Sequence, residues 1–218
     1  MVRSVFNYDL TKYAKSDAEI EEYERRQATA EREEQYRRTV PKRYWKESLD
    51  TYRTDTADWQ SAMDKARAFT KAVQGGGFVT LILLGGVGTG KTHLACGILR
   101  EAGGMYRLAS TIIEEFRRTR SFGVKETETD LLDSYGRASL LVIDEIGRGM
   151  SAQEEQYMLY QIINERYNRR KPMVMISNHT KRDFLNYVGV AAADRLTESA
   201  NIVEFTWKSY RASKRGEM

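Results

Sequence analysis

Phe78-Val79-Thr80-Leu81-Ile82-Leu83-Leu84-Gly85-Gly86-Val87-Gly88-Thr89-Gly90-Lys91-Thr92 is the stretch on which the fold turns. Phe78 to Leu84 is the longest apolar run of the chain, of strand length and bounded by glycine. Gly85 to Thr92 then matches G-x-x-x-x-G-K-[ST] in full, the pattern of a phosphate-binding loop between a strand and a helix. Each part has a chemical reason. Gly85, Gly86, Gly88 and Gly90 let the backbone wrap a phosphate with its N–H groups inward, at dihedrals that side chains oppose. Val87 and Thr89 complete the loop. Lys91 reaches the β- and γ-phosphates, and the Thr92 hydroxyl is a Mg²⁺ ligand. The helix that starts here directs its positive end at the anion. His93 follows and is counted with the loop as a local polar contact, without a catalytic part.

A second strand end carries acids. Leu140-Leu141-Val142-Ile143 closes on Asp144-Glu145, so a buried parallel strand would deliver both carboxylates to the sheet edge where doubly wound folds bind ligands. Asp144 is expected to hold Mg²⁺ through its water shell, and Glu145 to orient and deprotonate an attacking water. Met173-Val174-Met175-Ile176-Ser177 ends on Asn178 in the same way. If that strand lies between the other two, Asn178 reaches the γ-phosphate, where it can position water and report phosphate loss. The neighbouring His179 reads as a loop residue.

Outward from these strands the pattern alternates. Helices are expected at 92–101, 111–120 (Ile112, Ile113 and Phe116 inward) and 152–170 (Met158, Leu159, Ile162 and Ile163), with short ones at 183–187 and 191–196. Further strands are expected at 105–109 and 202–205, and 121–129 reads as a loop followed by Leu131-Leu132. Strands apolar on both sides and separated by helices predict an α/β fold with a parallel sheet covered on both faces. Ahead of this core, a helix starts near Asp58, with Trp59, Met63, Ala66 and Val73 on one face, and Gly75-Gly76-Gly77 stops it. The segment from Pro41 reads as a linker. Residues 17–38 hold eight acids and five bases among 22 residues, a solvated helical arm that cannot fold as a globule alone.

Composition excludes several classes. The chain has 218 residues, 35 Lys and Arg against 31 Asp and Glu, and a formal charge of +4; so small an excess of base permits nucleic-acid contact without demanding it. The single Cys96 and the two histidines, His93 and His179, leave no donor set for a thiolate zinc site. The apolar run at 78–84 is too short to span a bilayer, and the opening residues lack the stretch of a secretory signal. A cytoplasmic protein with no membrane partner is the expectation.

The motifs also stand in register with one another. Leu83 to Ala95, Leu140 to Gly147, Lys171-Pro172, Ser177-Asn178, Asp194-Arg195-Leu196 and Trp207 to Arg211 together resemble the AAA+ family of DnaC-like replicative-helicase loaders and their IstB-like transposition relatives. The likeness spans roughly residues 75–212 and implies an αβα P-loop ATPase core without a full C-terminal helical lid. It also implies roles: Lys91 and Thr92 as the Walker A pair, Asp144 and Glu145 as the Walker B pair, and Asn178 as first sensor. Arg195 matches the arginine supplied to a neighbour's nucleotide, and Arg211 the second-sensor arginine that feels the γ-phosphate in its own subunit. Where loaders often carry Gly-Glu-Arg, this chain has Gly189-Val190-Ala191, so activation in trans is expected either to be weak or to rest on Arg195 alone. The cysteine-rich zinc module of some loaders has no counterpart.

What the resemblance implies is an ATP- and Mg²⁺-dependent ATPase that forms homo-oligomers and loads a replicative DNA helicase onto single-stranded DNA, with the arm at 1–40 as the helicase-docking region; the short arm would also fit a phage- or prophage-encoded version. Residues 41–74 lead into the core, 75–212 form it, and 213–218 are a basic tail. Candidate DNA contacts are Arg117-Arg118-Arg120 with Phe116 and Phe122 to stack on bases, the run Arg166, Arg169, Arg170 and Lys171, and Lys208, Arg211, Lys214 and Arg215. The rival readings are an IstB-like ATPase that assists a transposase and a non-hydrolysing, nucleotide-gated adaptor.

Overall fold

The computed structural model describes residues 17–149 and 151–210. Its centre is a five-stranded sheet with order β2-β3-β4-β1-β5. The strands are β1 (Thr80–Gly85), β2 (Met105–Leu108), β3 (Leu141–Ile146), β4 (Met173–Ser177) and β5 (Ala200–Phe205). Every pairing is parallel, as expected of strands buried on both faces.

Alternation along the strands sorts the core into two halves. Leu81 and Leu83 of β1 point into one cluster, and Ile82 and Leu84 into the other. The first half is closed by α1 (Asp17–Thr39), α2 (Ala57–Gln74) and α3 (Lys91–Ala102). The second is closed by α4 (Ala109–Thr119), α5 (Glu128–Arg137), α6 (Ala152–Asn168), α7 (Lys181–Val188) and α8 (Val190–Ser199). No helical bundle follows β5 among the described residues.

Local chemistry fixes several boundaries. Thr56 caps α2 by accepting from the Trp59 N–H, and Thr180 caps α7 through the Asp183 N–H. Thr127 and Asp130 form a reciprocal capping box at the start of α5. That helix was expected only as a loop and two leucines. Leu131 and Tyr135, one turn apart, bury its inner side. The face of α2 also differs in detail: Ala62, Met63, Ala66, Phe69 and Thr70 are buried, whereas Trp59 stands at the helix start beside Trp207.

The arm and the segment after it divide differently from their sequence pattern. From Asp17 to Arg32 every residue of α1 is exposed, but Tyr36 and Val40 are buried. The following segment, with a 3-10 turn at Lys42–Tyr44, lies across α3 as a strap, burying Tyr44 and Leu49 in the first cluster. Gly97 in the middle of α3 permits this approach. A Cβ there would stand 2.7 Å from the Leu49 amide nitrogen and 2.9 Å from the Ser48 carbonyl carbon.

Candidate nucleotide-binding site

β4 lies between β1 and β3, the strand order on which the expectation for Asn178 depended. Three consecutive strand ends therefore meet at one edge of the sheet. They line a cavity of about 510 Å³ with Val87, Gly88, Thr89, Gly90, Lys91, Thr92 and His93 from the loop, Asp144 and Glu145 from β3, and Ser177 and Asn178 from the end of β4. The volume falls within the range of ligand pockets, ~300–1,000 Å³. Gly85 and Gly86 form the loop's base and receive the Lys91 ammonium, which donates to both of their carbonyls at 2.6 Å. Gly90 takes φ +100° with the Tyr52 ring 3.0 Å from where its Cβ would stand, so no side chain fits at the entry to α3. Thr89 Oγ1 donates to the Gly86 carbonyl at 2.9 Å and closes the loop on itself.

The acids are held in unequal ways. Asp144 is 3% exposed. Its Oδ2 accepts from Thr92 Oγ1 at 2.9 Å and from the Tyr106 hydroxyl at 2.8 Å, and its Oδ1 from the Glu145 N–H at 2.7 Å. Burial raises its carboxyl pKa, opposed by these hydrogen bonds. Glu145 adopts φ +59°, a left-handed conformation rare for residues with a side chain. The β3–β4 register shifts between Ile143 and Ile146, so the bulge falls at the acid pair. Glu145 Oε1 lies 3.4 Å from Arg148 Nη1. Burial presses the Lys91 ammonium down to about 8, and nearby Asp144 partly offsets this.

A hydroxyl and a carboxylate oxygen 2.9 Å apart, both facing the cavity, are hard donors that suit Mg²⁺, which takes one or two protein oxygens and completes its shell with water and phosphate. The glycine loop beside them lines the same cavity, where a polyphosphate would lie. The residues thus fit both groups named from the sequence.

The strap supplies lining residues that sequence reasoning missed: Arg43, Tyr44 and Glu47. His93 anchors it, with Nδ1 2.9 Å from Glu47 Oε2 and Nε2 3.0 Å from the Ser48 carbonyl and 3.1 Å from Thr51 Oγ1. A smaller adjoining chamber is lined by Tyr52, Arg53, Trp59 and Tyr210. The far end of the chain clamps the loop: Trp207 Nε1 donates to the Thr89 carbonyl at 2.9 Å, and the Tyr210 N–H to the Gly88 carbonyl at 3.0 Å. Tyr106, the partner of Asp144, was also missed. Its neighbourhood follows from the pairing of β2 with β3, which no local pattern announces.

One expected site residue lies elsewhere. Arg195, on α8, is not among the cavity's lining residues; its guanidinium rests 5.4 Å from the Tyr160 ring centre and 5.9 Å from that of Tyr167, and donates to the Ala191 carbonyl. Arg211 lies outside the described residues, as do Lys214 and Arg215.

The basic clusters are revised. Phe116 is wholly buried and cannot stack on a base, whereas Phe122 is fully exposed. Arg117, Arg118 and Arg120 pair with Glu154, Glu126 and Glu128. Arg166 is wholly buried and donates to the carbonyls of Tyr135, Ala138 and Pro172, so it is a core cation and not a surface for DNA. Burial lowers its pKa to about 9.

Among the described residues no helix is long and apolar enough to cross a membrane. Over 177 residues the chain is 29% identical to the replicative helicase loader DnaC of Escherichia coli strain K12, covering 78% of this chain and 71% of that protein. Its namesake from Buchnera aphidicola subsp. Schizaphis graminum is 26% identical over 176 residues, with the same coverage. The crystal structure of the DnaC helicase loader aligns with a TM-score of 0.67 at 22% identity, over 76% of this chain and all of that one. The replication initiator DnaA bound to AMPPCP and single-stranded DNA aligns at 0.64 and 20% identity, over 82% of this chain and 56% of that one. The likeness to these structures bears out the α/β fold expected from the sequence, a parallel sheet covered by helices on both faces. The family described as IstB-like ATP binding protein matches residues 19–218, and with a matching phosphate loop and acid pair at one cavity, the chain belongs to that family.

Proposed function

We propose that this protein is an ATP-dependent loader of a replicative DNA helicase onto single-stranded DNA, and that it hydrolyses ATP to ADP and phosphate as a homo-oligomer. The observation that carries the reading is the convergence of Lys91, Thr92, Asp144, Glu145 and Asn178 on one cavity, in a chain similar to DnaC over 78% of its length. The triphosphate lies along the glycine loop, and the Lys91 ammonium turns from the Gly85 and Gly86 carbonyls to the β- and γ-phosphates. Thr92 and Asp144 would hold Mg²⁺, which when bound would supply positive charge to offset that of the phosphate groups. Glu145 takes the proton of the attacking water and Asn178 orients that water. Base and ribose extend toward the chamber of Tyr52, Trp59 and Tyr210. Arg211 would meet the γ-phosphate in its own subunit. Arg195 acts on the nucleotide of a neighbouring copy, where a fixed cation offsets the charge that develops on the phosphoryl group.

The arm is suited to docking. From Asp17 to Arg32 it is an exposed helix in which Arg26 pairs with Glu22 at 2.5 Å, and it exposes Ile20 and Tyr23. Pairs at this spacing support a helix that has no core to lean on. DNA is met at the loop after α4, where Phe122 offers a stacking face and the flanking arginines exchange their carboxylates for phosphates. Contacts of that kind weaken with salt. ATP then acts as a timer, because the two nucleotide states differ in affinity for helicase and DNA.

The test is capture of the host's replicative helicase by the full chain, with and without ATP, against a variant lacking residues 1–28. The cut is placed there because removal of residues 1–40 would also remove Tyr36 and Val40 from the core. Capture by the full chain and its loss on truncation are expected. Capture of a transposase in place of any helicase overturns the loader reading in favour of a transposition ATPase.

A further inference from the structure

One buried acid has no part in the chemistry above. Glu155, in the first turn of α6, is 1% exposed. Its Oε1 accepts from the Gly147 N–H at 2.6 Å and its Oε2 from the Gly149 N–H at 3.2 Å. Those amides belong to the turn directly after Glu145. A carboxylate withdrawn from water needs such donors, and here both come from the one loop that aims the proposed base.

The same loop is tied to the turn that carries Asn178. Ser177 Oγ donates to the Ile146 carbonyl at 2.8 Å and accepts from the His179 N–H at 3.2 Å. The His179 ring lies so close to Gly147 that a Cβ on that glycine would be 2.2 Å from Cε1. His179 Nδ1 is buried without a hydrogen-bond partner among the described residues, so packing holds the ring. The other side of that packing is Tyr187 of α7, with ring centres 5.2 Å apart. Tyr187 also stands near Glu155: burial first, and then this carboxylate, raise the pKa of its hydroxyl. A closed circuit results: the Glu145 turn, Glu155, Tyr187, His179 and the Asn178 turn.

We propose that Glu155 and Tyr187 are positioning residues for hydrolysis, which hold the Glu145 turn against the Asn178 turn so that both groups meet the attacking water together. The inference rests on the ATPase reading above. Neither residue lines the nucleotide cavity, so their loss disturbs the geometry of the water and leaves nucleotide binding in place. Misplacement of a catalytic group by about 1 Å costs on the order of 10²-fold in rate.

The experiment measures ATP turnover at saturating MgATP with single-stranded DNA, and the dissociation constant of a non-hydrolysable ATP analogue, for the full chain and for E145Q, E155Q, Y187F and E155Q/Y187F. A fall in kcat of about 10- to 100-fold in each of E155Q and Y187F, with the analogue's affinity within about twofold, is expected. Because both act in one circuit, the double variant should be no slower than E155Q alone. Unchanged kcat in either single variant, effects that multiply, or affinity that falls in step with kcat overturns the proposal. If E155Q does not fold, the same criteria are applied to Y187F, which keeps the carboxylate. Turnover in the parent that E145Q does not abolish overturns the ATPase reading itself, whereas turnover lost in E145Q and kept in E155Q overturns only the positioning role.

Discussion

At Lys91 two demands conflict. The ammonium must be charged to meet phosphate, yet burial presses its pKa down from 10.5 to about 8, and its bonds at the loop go to two neutral carbonyls. For the empty protein the sign is clear: below pH 8 the buried charge costs stability in full, and the cost is lifted as pH rises from about 8 toward 10.5, where the unfolded chain still holds its proton. Phosphate reverses the shift by offering the charge a partner. Nucleotide binding at pH 8 should therefore take up about half a proton per site, and affinity should fall by up to about tenfold per pH unit above 9. Calorimetry in buffers of different ionisation heat reads this directly, and heats that do not depend on the buffer would remove Lys91 from the phosphate contact. Lys91, Thr92, Asp144 and Glu145 were legible because each stands in a short contiguous pattern with a chemical purpose. Tyr106, Glu47 and Arg43 were not, since their place at the site comes from strand order and from the packing of the strap. The left-handed Glu145 was equally invisible: a backbone conformation held against its own preference is set by the surrounding structure.

Among the elements, the strap matters most, because it joins the exposed arm to the helix that follows the phosphate loop. Its course over α3 depends on Gly97, where the atoms a side chain would meet are main-chain atoms of Ser48 and Leu49. Alanine in a helix interior gains about 1 kcal/mol over glycine, but overpacking costs ~1–3 kcal/mol and a backbone cannot rotate away. The clash should win in Gly97→Ala, with a net loss of up to about 2 kcal/mol and a melting temperature lower by up to roughly 4–8 °C. A higher melting temperature would mean that the strap does not lie on α3. The sequence described this segment poorly for a physical reason: Pro41, Tyr44 and Trp45 break any helical period, and only contact with α3 distinguishes a strap from a linker. The same limit applied to Arg166. In a row of cations it reads as a surface residue, whereas the carbonyls of Tyr135, Ala138 and Pro172 make it part of the interior. Elements whose own period identified them, such as α4, α6 and the strands, were found with small errors at their ends.

On the scale of the whole molecule, the role proposed for Arg195 decides what one copy would lack. It sits on α8 over two tyrosine rings and away from its own cavity, so if it serves hydrolysis it does so in another copy. Among the described residues no acid pairs with it: its guanidinium meets the two rings and the Ala191 carbonyl of its own helix. Arg195→Ala should leave nucleotide affinity within about twofold and lower kcat by ~10³-fold or more, the size of effect that arginine fingers have in GTPases. The stronger test mixes two inactive proteins. Arg195→Ala retains a complete cavity, and Glu145→Gln retains the arginine. In a mixed oligomer, each junction that places the arginine of E145Q against the cavity of R195A regains a full set of groups. Turnover should reappear on mixing, in proportion to the fraction of such junctions, and should vanish on dilution below the concentration at which copies associate. If the mixture stays as inactive as its parts while both proteins still co-assemble, Arg195 does not act across the interface, and the cation for the transition state must come from within the subunit.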